Sequence, residues 1–160
     1  MTALKKYFTL SVSIALSMPV FATASIDSTD FVPDKTFTQG VEGPVVGKDN
    51  RLYAVNFKEE GTIGVVNAQG LAELFVTLPK GSTGNGLQFD ALNNLYVADY
   101  RGHNILKIAA NSQTVSVFSH NSAFNQPNDI AITTSGVLFA SDPNWAQSTG
   151  KLWRINQDGS

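Results

Sequence analysis

Three oxygen-bearing side chains recur at one spacing along the chain. Glu42, Asn85 and Asn128 follow one another at intervals of 43 residues. Carboxylate and carboxamide oxygens are hard ligands of the kind that calcium prefers, whereas softer metals favour Cys or His. The alternative is structural, because Asn-Gly and Asn-Asp are common turn dipeptides that serve the backbone. Glu42 favours the cation, since a carboxylate beside Gly-Pro at the mouth of a strand needs a partner.

The same interval of 43 residues relates two further sets of residues. One set is an aromatic residue flanked by aliphatic ones, in Leu52-Tyr53-Ala54, Leu95-Tyr96-Val97 and Leu138-Phe139-Ala140. The other is a short polar residue that follows, at Asn56, Asp99 and Asp142. We interpret the second set as structural, because such side chains bond to turn backbone and hold the edge of a unit. Agreement of three landmarks without a gap indicates three copies of one structural unit.

Each copy has the composition of short strands separated by turns. In the first copy, runs rich in Val, Ile, Leu, Phe and Tyr predict strands at about 44–48, 51–57, 62–67 and 71–78. Four strands in a unit of this length are typical of β-propeller blades, whereas the coils of a β-solenoid, the alternative, are usually shorter. The sequence therefore predicts an all-β chain with about three four-stranded propeller blades.

The predicted domain runs over residues 25–160, with blade repeats at approximately 37–79, 80–122 and 123–160. The third repeat has no fourth strand, and residues 30–35 align with the fourth-strand position of the other repeats. Three blades cannot close a ring by themselves. We therefore expect either a longer natural chain or a homodimer in which two chains build one ring.

The N-terminus has the pattern of an export signal. Lys5 and Lys6 precede an uncharged apolar run over residues 7–21, and Ala22-Thr23-Ala24 then supplies the small residues of a cleavage site. The run is shorter than the roughly 20 residues of a membrane anchor, which is the alternative. The sequence thus predicts a signal peptide over residues 1–24, a periplasmic or secreted protein, and no membrane contact after cleavage.

Charge and cysteine content exclude other classes. The net charge is −2, and no basic cluster follows the N-terminus, so a nucleic-acid partner is not expected. The chain has no Cys, which excludes thiolate metal sites and disulfides.

The motifs also resemble those of a known family. Glu42-Gly43-Pro44, Asn85-Gly86-Leu87 and Gln126-Pro127-Asn128-Asp129 are similar to elements of the senescence-marker-protein/regucalcin/gluconolactonase family, over roughly residues 37–160. The resemblance implies a propeller that is six-bladed in its complete form. It also implies one divalent cation, usually calcium, at the mouth of the channel, and a small-molecule partner, because the implied reaction is the hydrolysis of sugar-type lactones.

The resemblance makes Glu42 a metal ligand and places Asn128 at the metal or the substrate. We therefore take Glu42 and Asn128 as candidate metal ligands, and Asn85, Gln126 and Asn128 as candidate substrate-binding residues. The family's general base comes from a later blade, so we expect no catalytic residue here and an incomplete, inactive portion of a lactone hydrolase. The family often has Arg where this chain has Gln126, and an uncharged amide binds oxygen anions more weakly, which is compatible with a less polar lactone or ester.

A non-catalytic binding propeller is the alternative function. Residues 96–105 also resemble an NHL-type repeat, whose propellers mostly bind partners. Glu42 distinguishes the hydrolase from the binding propeller, because a binding propeller has no need of an axial carboxylate. Trp145 lies in a polar loop and is a candidate for the substrate entrance.

Overall fold

The computed structural model describes residues 27–160 of the protein. Within this range the chain forms eleven strands in three antiparallel sheets, with a single turn of 3₁₀ helix. None of its helical segments is long and apolar enough to cross a membrane. The predicted signal peptide, residues 1–24, lies outside the described residues. The all-β prediction is confirmed.

Each sheet is one blade, whose strands follow one another in space in the order of the sequence. The first blade contains β1 (Val45–Val46), β2 (Leu52–Val55), β3 (Thr62–Val66) and β4 (Ala72–Thr77). The second contains β5 (Gly84–Phe89), β6 (Leu95–Asp99), β7 (Asn104–Ile108) and β8 (Val115–His120). The third contains β9 (Ile130–Ile132), β10 (Leu138–Asn144) and β11 (Thr149–Ile155).

The prediction of a strand at residues 30–35 is wrong. These residues form no strand, and the first pairing of the described chain is an isolated antiparallel bridge between Phe37 and Phe57. The two rings pack edge to face with centroids 5.6 Å apart, and Thr38 N donates to Asn56 O at 3.0 Å. Aromatic packing and this hydrogen bond therefore hold Phe37 and Thr38 against the first blade.

The second blade is buried on both faces. All five residues of β6 are buried, and alternate side chains point to opposite neighbours because a strand has a period of two. Leu95 and Val97 pack into a core with the first blade, whereas Tyr96 and Ala98 pack into a core with the third. Burial of apolar side chains between blades thus fixes the three sheets against one another.

Two glycines let the inner strands of successive blades touch. Gly43 has φ +55°, and a Cβ there would collide with Asn85 O of the next blade. A Cβ on Gly86 would lie 2.7 Å from Asp129 Cα, which no ordinary packing allows. Gly86 N instead donates to Asn128 O at 2.6 Å, so a hydrogen bond joins the second blade to the third. The absence of a side chain at these positions brings the three strand mouths together.

Asn56, Asp99 and Asp142 are buried and tie the loop before each inner strand to the second strand of the same blade. Asn56 Nδ2 donates to Gly40 O at 2.6 Å. Asp142 Oδ1 accepts from Gln126 N at 2.5 Å. The structural interpretation of this set is confirmed, since every partner of these side chains is a neighbouring loop or strand group.

Asp99 shows the arrangement in full. Its Oδ1 accepts from Thr83 N at 3.1 Å and from Gly102 N at 2.9 Å, and its Oδ2 accepts from Ser82 Oγ at 2.7 Å. A carboxylate that accepts several hydrogen bonds can remain in a buried position. This side chain therefore holds both the loop before β5 and the turn after β6.

Asp90 closes the turn between β5 and β6. Its Oδ1 accepts from Leu92 N and Asn94 N, each at 2.8 Å, and its Oδ2 accepts from Asn94 Nδ2 at 2.7 Å. Burial raises the pKa of Asp90, but these donors and the charge of Lys107 outweigh burial. The pKa of this carboxyl consequently lies below its ordinary value of 3.8.

We expect Asp99→Ala to lower the free energy of unfolding by about 3 kcal/mol, because several buried donors lose their acceptor. Asp99→Asn should cost about half as much, since the first blade uses Asn56 at the equivalent position. Urea titration followed by circular dichroism measures both variants. Equal stability of the wild type and Asp99→Ala would contradict the structural role of Asp99 as the acceptor for these loop donors.

We expect Gly86→Ala to lower the free energy of unfolding by about 2 kcal/mol, because its Cβ must displace the backbone of the third blade. Gly150→Ala is the matched control, since a Cβ there would meet its nearest atoms at 3.7 and 3.8 Å, which is ordinary contact. Thermal unfolding compares the two variants. A smaller loss for Gly86→Ala than for Gly150→Ala would show that the strand mouths do not touch.

The lowered pKa of Asp90 predicts that the free energy of unfolding depends on pH. A carboxyl group whose pKa is lower in the folded than in the unfolded state stabilises the folded state at pH values above its unfolded pKa. This stabilisation is lost as the pH falls through the folded pKa. We expect Asp90→Asn to cost about 1 kcal/mol at pH 7 and progressively less as the pH falls below 4. Urea titrations at pH 7 and near pH 3 measure the difference in the free energy of unfolding between the wild type and Asp90→Asn. An equal difference at the two pH values would contradict the prediction.

Candidate functional site

The inner strands β1, β5 and β9 bring the three spaced residues of the sequence to one end of the blades. Glu42 lies three residues before β1, Asn85 is the second residue of β5, and Asn128 lies two residues before β9. The backbone contacts of Gly43 and Gly86 place these strand mouths side by side. Positions that are 43 residues apart in the sequence therefore lie at neighbouring strand mouths in the structure.

A cavity of about 360 Å³ lies between the strand mouths. Its wall consists of three consecutive residues from each blade: Glu42, Gly43 and Pro44; Gly86, Leu87 and Gln88; Asn128, Asp129 and Ile130. The two predicted metal ligands, Glu42 and Asn128, thus line one cavity. Asn85 is absent from this wall, and its carbonyl oxygen lies against Gly43.

The cavity is negatively charged. Glu42 and Asp129 contribute carboxylates, Gln88 and Asn128 contribute amides, and no basic residue of the described chain lines the wall. Asp129 Oδ1 accepts from Ile130 N at 2.8 Å. The exposed Glu42 carboxylate makes neither a hydrogen bond nor an ion pair with any other group in residues 27–160. This charge balance favours a cationic ligand.

The donor set fits a hard cation. The side-chain donors of the wall are oxygens of carboxylates and amides, which suit calcium. Within residues 27–160, no three side chains of His, Cys, Asp or Glu come close enough to hold a metal by themselves. A cation here must also use amide oxygens, backbone carbonyls and water, all of which are ordinary calcium ligands.

Sequence reasoning missed Gln88 and Asp129 as parts of the wall. Both break the repeat, because Asp129 occupies the position of Gly43 and Gly86, and Gln88 occupies that of Val45. A polar residue where the other copies have a small or apolar one is the signal that would have found them.

Gln126, a predicted substrate residue, lies outside this wall. Its Nε2 donates to Tyr100 OH at 2.7 Å, and its Oε1 accepts from Asn125 Nδ2 at 3.3 Å. The side chain thereby links the second blade to the third. A substrate role for Gln126 and for Asn85 stays a prediction.

Asn128 also lines a second, open surface depression of about 570 Å³. Its other lining residues come from the β10–β11 hairpin: Ser141, Asp142, Pro143, Trp145, Gly150, Lys151 and Leu152. Trp145, the candidate entrance residue, is 68% exposed. Trp145 therefore lines the same depression as Asn128, one of the two predicted metal ligands.

Solved structures share this fold at low sequence identity. A gluconolactonase from Xanthomonas campestris matches with a TM-score of 0.65 and 17% identity, over 81% of this chain and 47% of that protein. The calcium-binding regucalcin of Agrobacterium tumefaciens matches with a TM-score of 0.62 and 17% identity, over 79% and 43%. The virginiamycin B lyase of Staphylococcus aureus matches with a TM-score of 0.61 and 13% identity, over 79% and 40%.

The likeness is one of fold. No protein-family model and no curated protein sequence matches the chain. The chain spans less than half the length of each of these three structures. A gluconolactonase and a lyase share this fold, so the fold by itself does not determine an activity. The predicted fold class is confirmed: the chain has the β-propeller fold of gluconolactonase and regucalcin structures.

Proposed function

We propose that the cavity between Glu42 and Asn128 binds one calcium ion, and that this chain supplies that part of the site of an exported lactone hydrolase. The observation that carries the proposal is the Glu42 carboxylate, which has no partner within residues 27–160 and shares a wall with Asn128. An exposed carboxylate in a wall without basic residues attracts a cation.

Each residue of the wall has a defined part in this proposal. Glu42 and Asn128 hold the ion, Gln88 offers an amide oxygen, and Asp129 adds negative charge. A calcium ion bound here would polarise a lactone carbonyl, so that a water activated by a carboxylate attacks it and the ester bond opens. We assign the general base to no residue of this chain.

The fold comparisons support the proposed class, a calcium-dependent lactone hydrolase, but the proposal depends on the cavity and not on them. Two of the similar structures are a gluconolactonase and a calcium-binding regucalcin, which agrees with the donor chemistry of the cavity. The partner that this proposal requires is a small lactone or ester, and the location is the periplasm or the outside of the cell. A non-catalytic binding propeller is the second candidate, and calcium binding that depends on Glu42 distinguishes the two.

Calcium titration of the purified protein by isothermal calorimetry tests the proposal. We expect one site, and we expect Glu42→Gln to weaken calcium binding at least about tenfold, because the variant loses a charged ligand at unchanged size. Glu73→Gln is the matched control, since Glu73 lies on the outer strand β4 and is paired only with Arg51 within the described chain.

Equal calcium affinity in the wild type and Glu42→Gln would refute the calcium site and favour the binding propeller. An equal loss in Glu42→Gln and Glu73→Gln would refute it as well, because the effect would then follow net charge and not the cavity.

A further inference from the structure

The chain contains one Asn-Gly dipeptide, Asn85-Gly86, and it lies at the mouth of the inner strand β5. Asparagine is a chemically labile residue, and a following glycine has no side chain to shield its backbone nitrogen. In an unfolded chain, this dipeptide is therefore the position most prone to spontaneous deamidation. In the folded protein, the surroundings of Gly86 N decide whether the reaction occurs.

Deamidation of this dipeptide requires an accessible nitrogen at Gly86. The deprotonated Gly86 N attacks the side-chain carbonyl carbon of Asn85, the new C–N bond closes a succinimide ring, and the side-chain nitrogen of Asn85 leaves as ammonia. Water then opens the ring at either carbonyl and yields aspartate or isoaspartate. Water is the only co-reactant, so the structure around Gly86 N controls the rate.

The second blade does not hold this nitrogen by its own strand pairing. Pairing of β5 with β6 joins Gly84 to Asp99 and Leu87 to Val97, and the register shifts between these two pairs. Gly86 lies in this irregular part of the strand, outside the regular ladder. Protection of Gly86 N must therefore come from another blade.

The third blade supplies the acceptor for Gly86 N. Gly86 N donates to Asn128 O at 2.6 Å. Gly86 is buried, and a Cβ there would lie 2.7 Å from Asp129 Cα, so the backbone of the third blade covers this residue directly. A buried and hydrogen-bonded N–H group reacts only when its surroundings open locally.

We propose that Asn85 is a deamidation site whose reaction is prevented by the hydrogen bond from Gly86 N to Asn128 O and begins when the third blade separates locally from the second. Isoaspartate adds one carbon atom to the main chain where Gly86 touches the third blade, and aspartate adds a negative charge at the strand mouth. The product therefore cannot restore the original contact when the blades close again. This inference does not depend on the proposed calcium site.

Peptide mapping by mass spectrometry of the purified protein, incubated at about pH 8, measures deamidation at each asparagine. The exposed Asn111 and Asn121, each followed by the small residue Ser, are internal references. We expect Asn85 to react first in guanidinium chloride. In native buffer the order should be reversed, with Asn85 at least about a hundredfold slower than in denaturant.

Asp142→Ala tests the contribution of the third blade without changing the dipeptide. Asp142 Oδ1 accepts from Gln126 N at 2.5 Å and so holds the loop that leads to Asn128. We expect this variant to accelerate deamidation of Asn85 at least about tenfold in native buffer. Asp142→Asn is the milder variant and should accelerate the reaction less.

Thr62→Val is the matched control. Thr62 is also buried, and its Oγ1 donates to Phe57 O at 2.6 Å, but both residues belong to the first blade. We expect little acceleration at Asn85 in this variant. Urea titration gives the free energy of unfolding of each variant, so that the rates are compared at equal loss of stability.

Three results would overturn the inference. One is deamidation of Asn85 in native buffer as fast as in guanidinium chloride, since the contact would then give no protection. Another is an unchanged rate at Asn85 in both Asp142 variants. The third is equal acceleration by Asp142→Ala and Thr62→Val at equal loss of stability, because the reaction would then follow global unfolding and not separation of the two blades.

Discussion

Contact between the inner strands of successive blades is the constraint on which the site depends. Gly43 lies against Asn85 O, and Gly86 N bonds to Asn128 O at 2.6 Å. Contact of the first strand mouth with the second, and of the second with the third, brings residues from all three blades to the wall of one cavity. The interblade cores hold the sheets together, but the two glycines determine how closely the strand mouths approach.

The buried polar residues connect stability to the site. Asp142 binds the backbone of Gln126, and Pro127 and Asn128 follow directly in the chain. Asp99 binds Thr83 in the same way, two residues before Asn85. These hydrogen bonds orient the loops from which the cavity wall begins, so Asp99 and Asp142 position the backbone of the wall.

The repeats are alike where the fold requires it and differ where the proposed chemistry requires it. The aromatic residues of the second strands and the polar residues that follow them recur in all three blades, because every blade must pack and hold its loop. Asp129 and Gln88 have no equivalents in the other blades. The equivalent positions of the repeat thus supply Glu42 and Asn128 to the cavity wall, and departures from the repeat supply Gln88 and Asp129.

The sequence by itself determined the blades and two members of the site. Strand period and the interval of 43 residues are properties of the chain, and they were sufficient to place Glu42 and Asn128 at equivalent strand mouths. Only the tertiary structure decided that residues 30–35 form no strand, that Gln126 bonds to Tyr100, and that Asn128 lines both the cavity and the open depression. These outcomes depend on side-chain packing between blades, which no local pattern encodes.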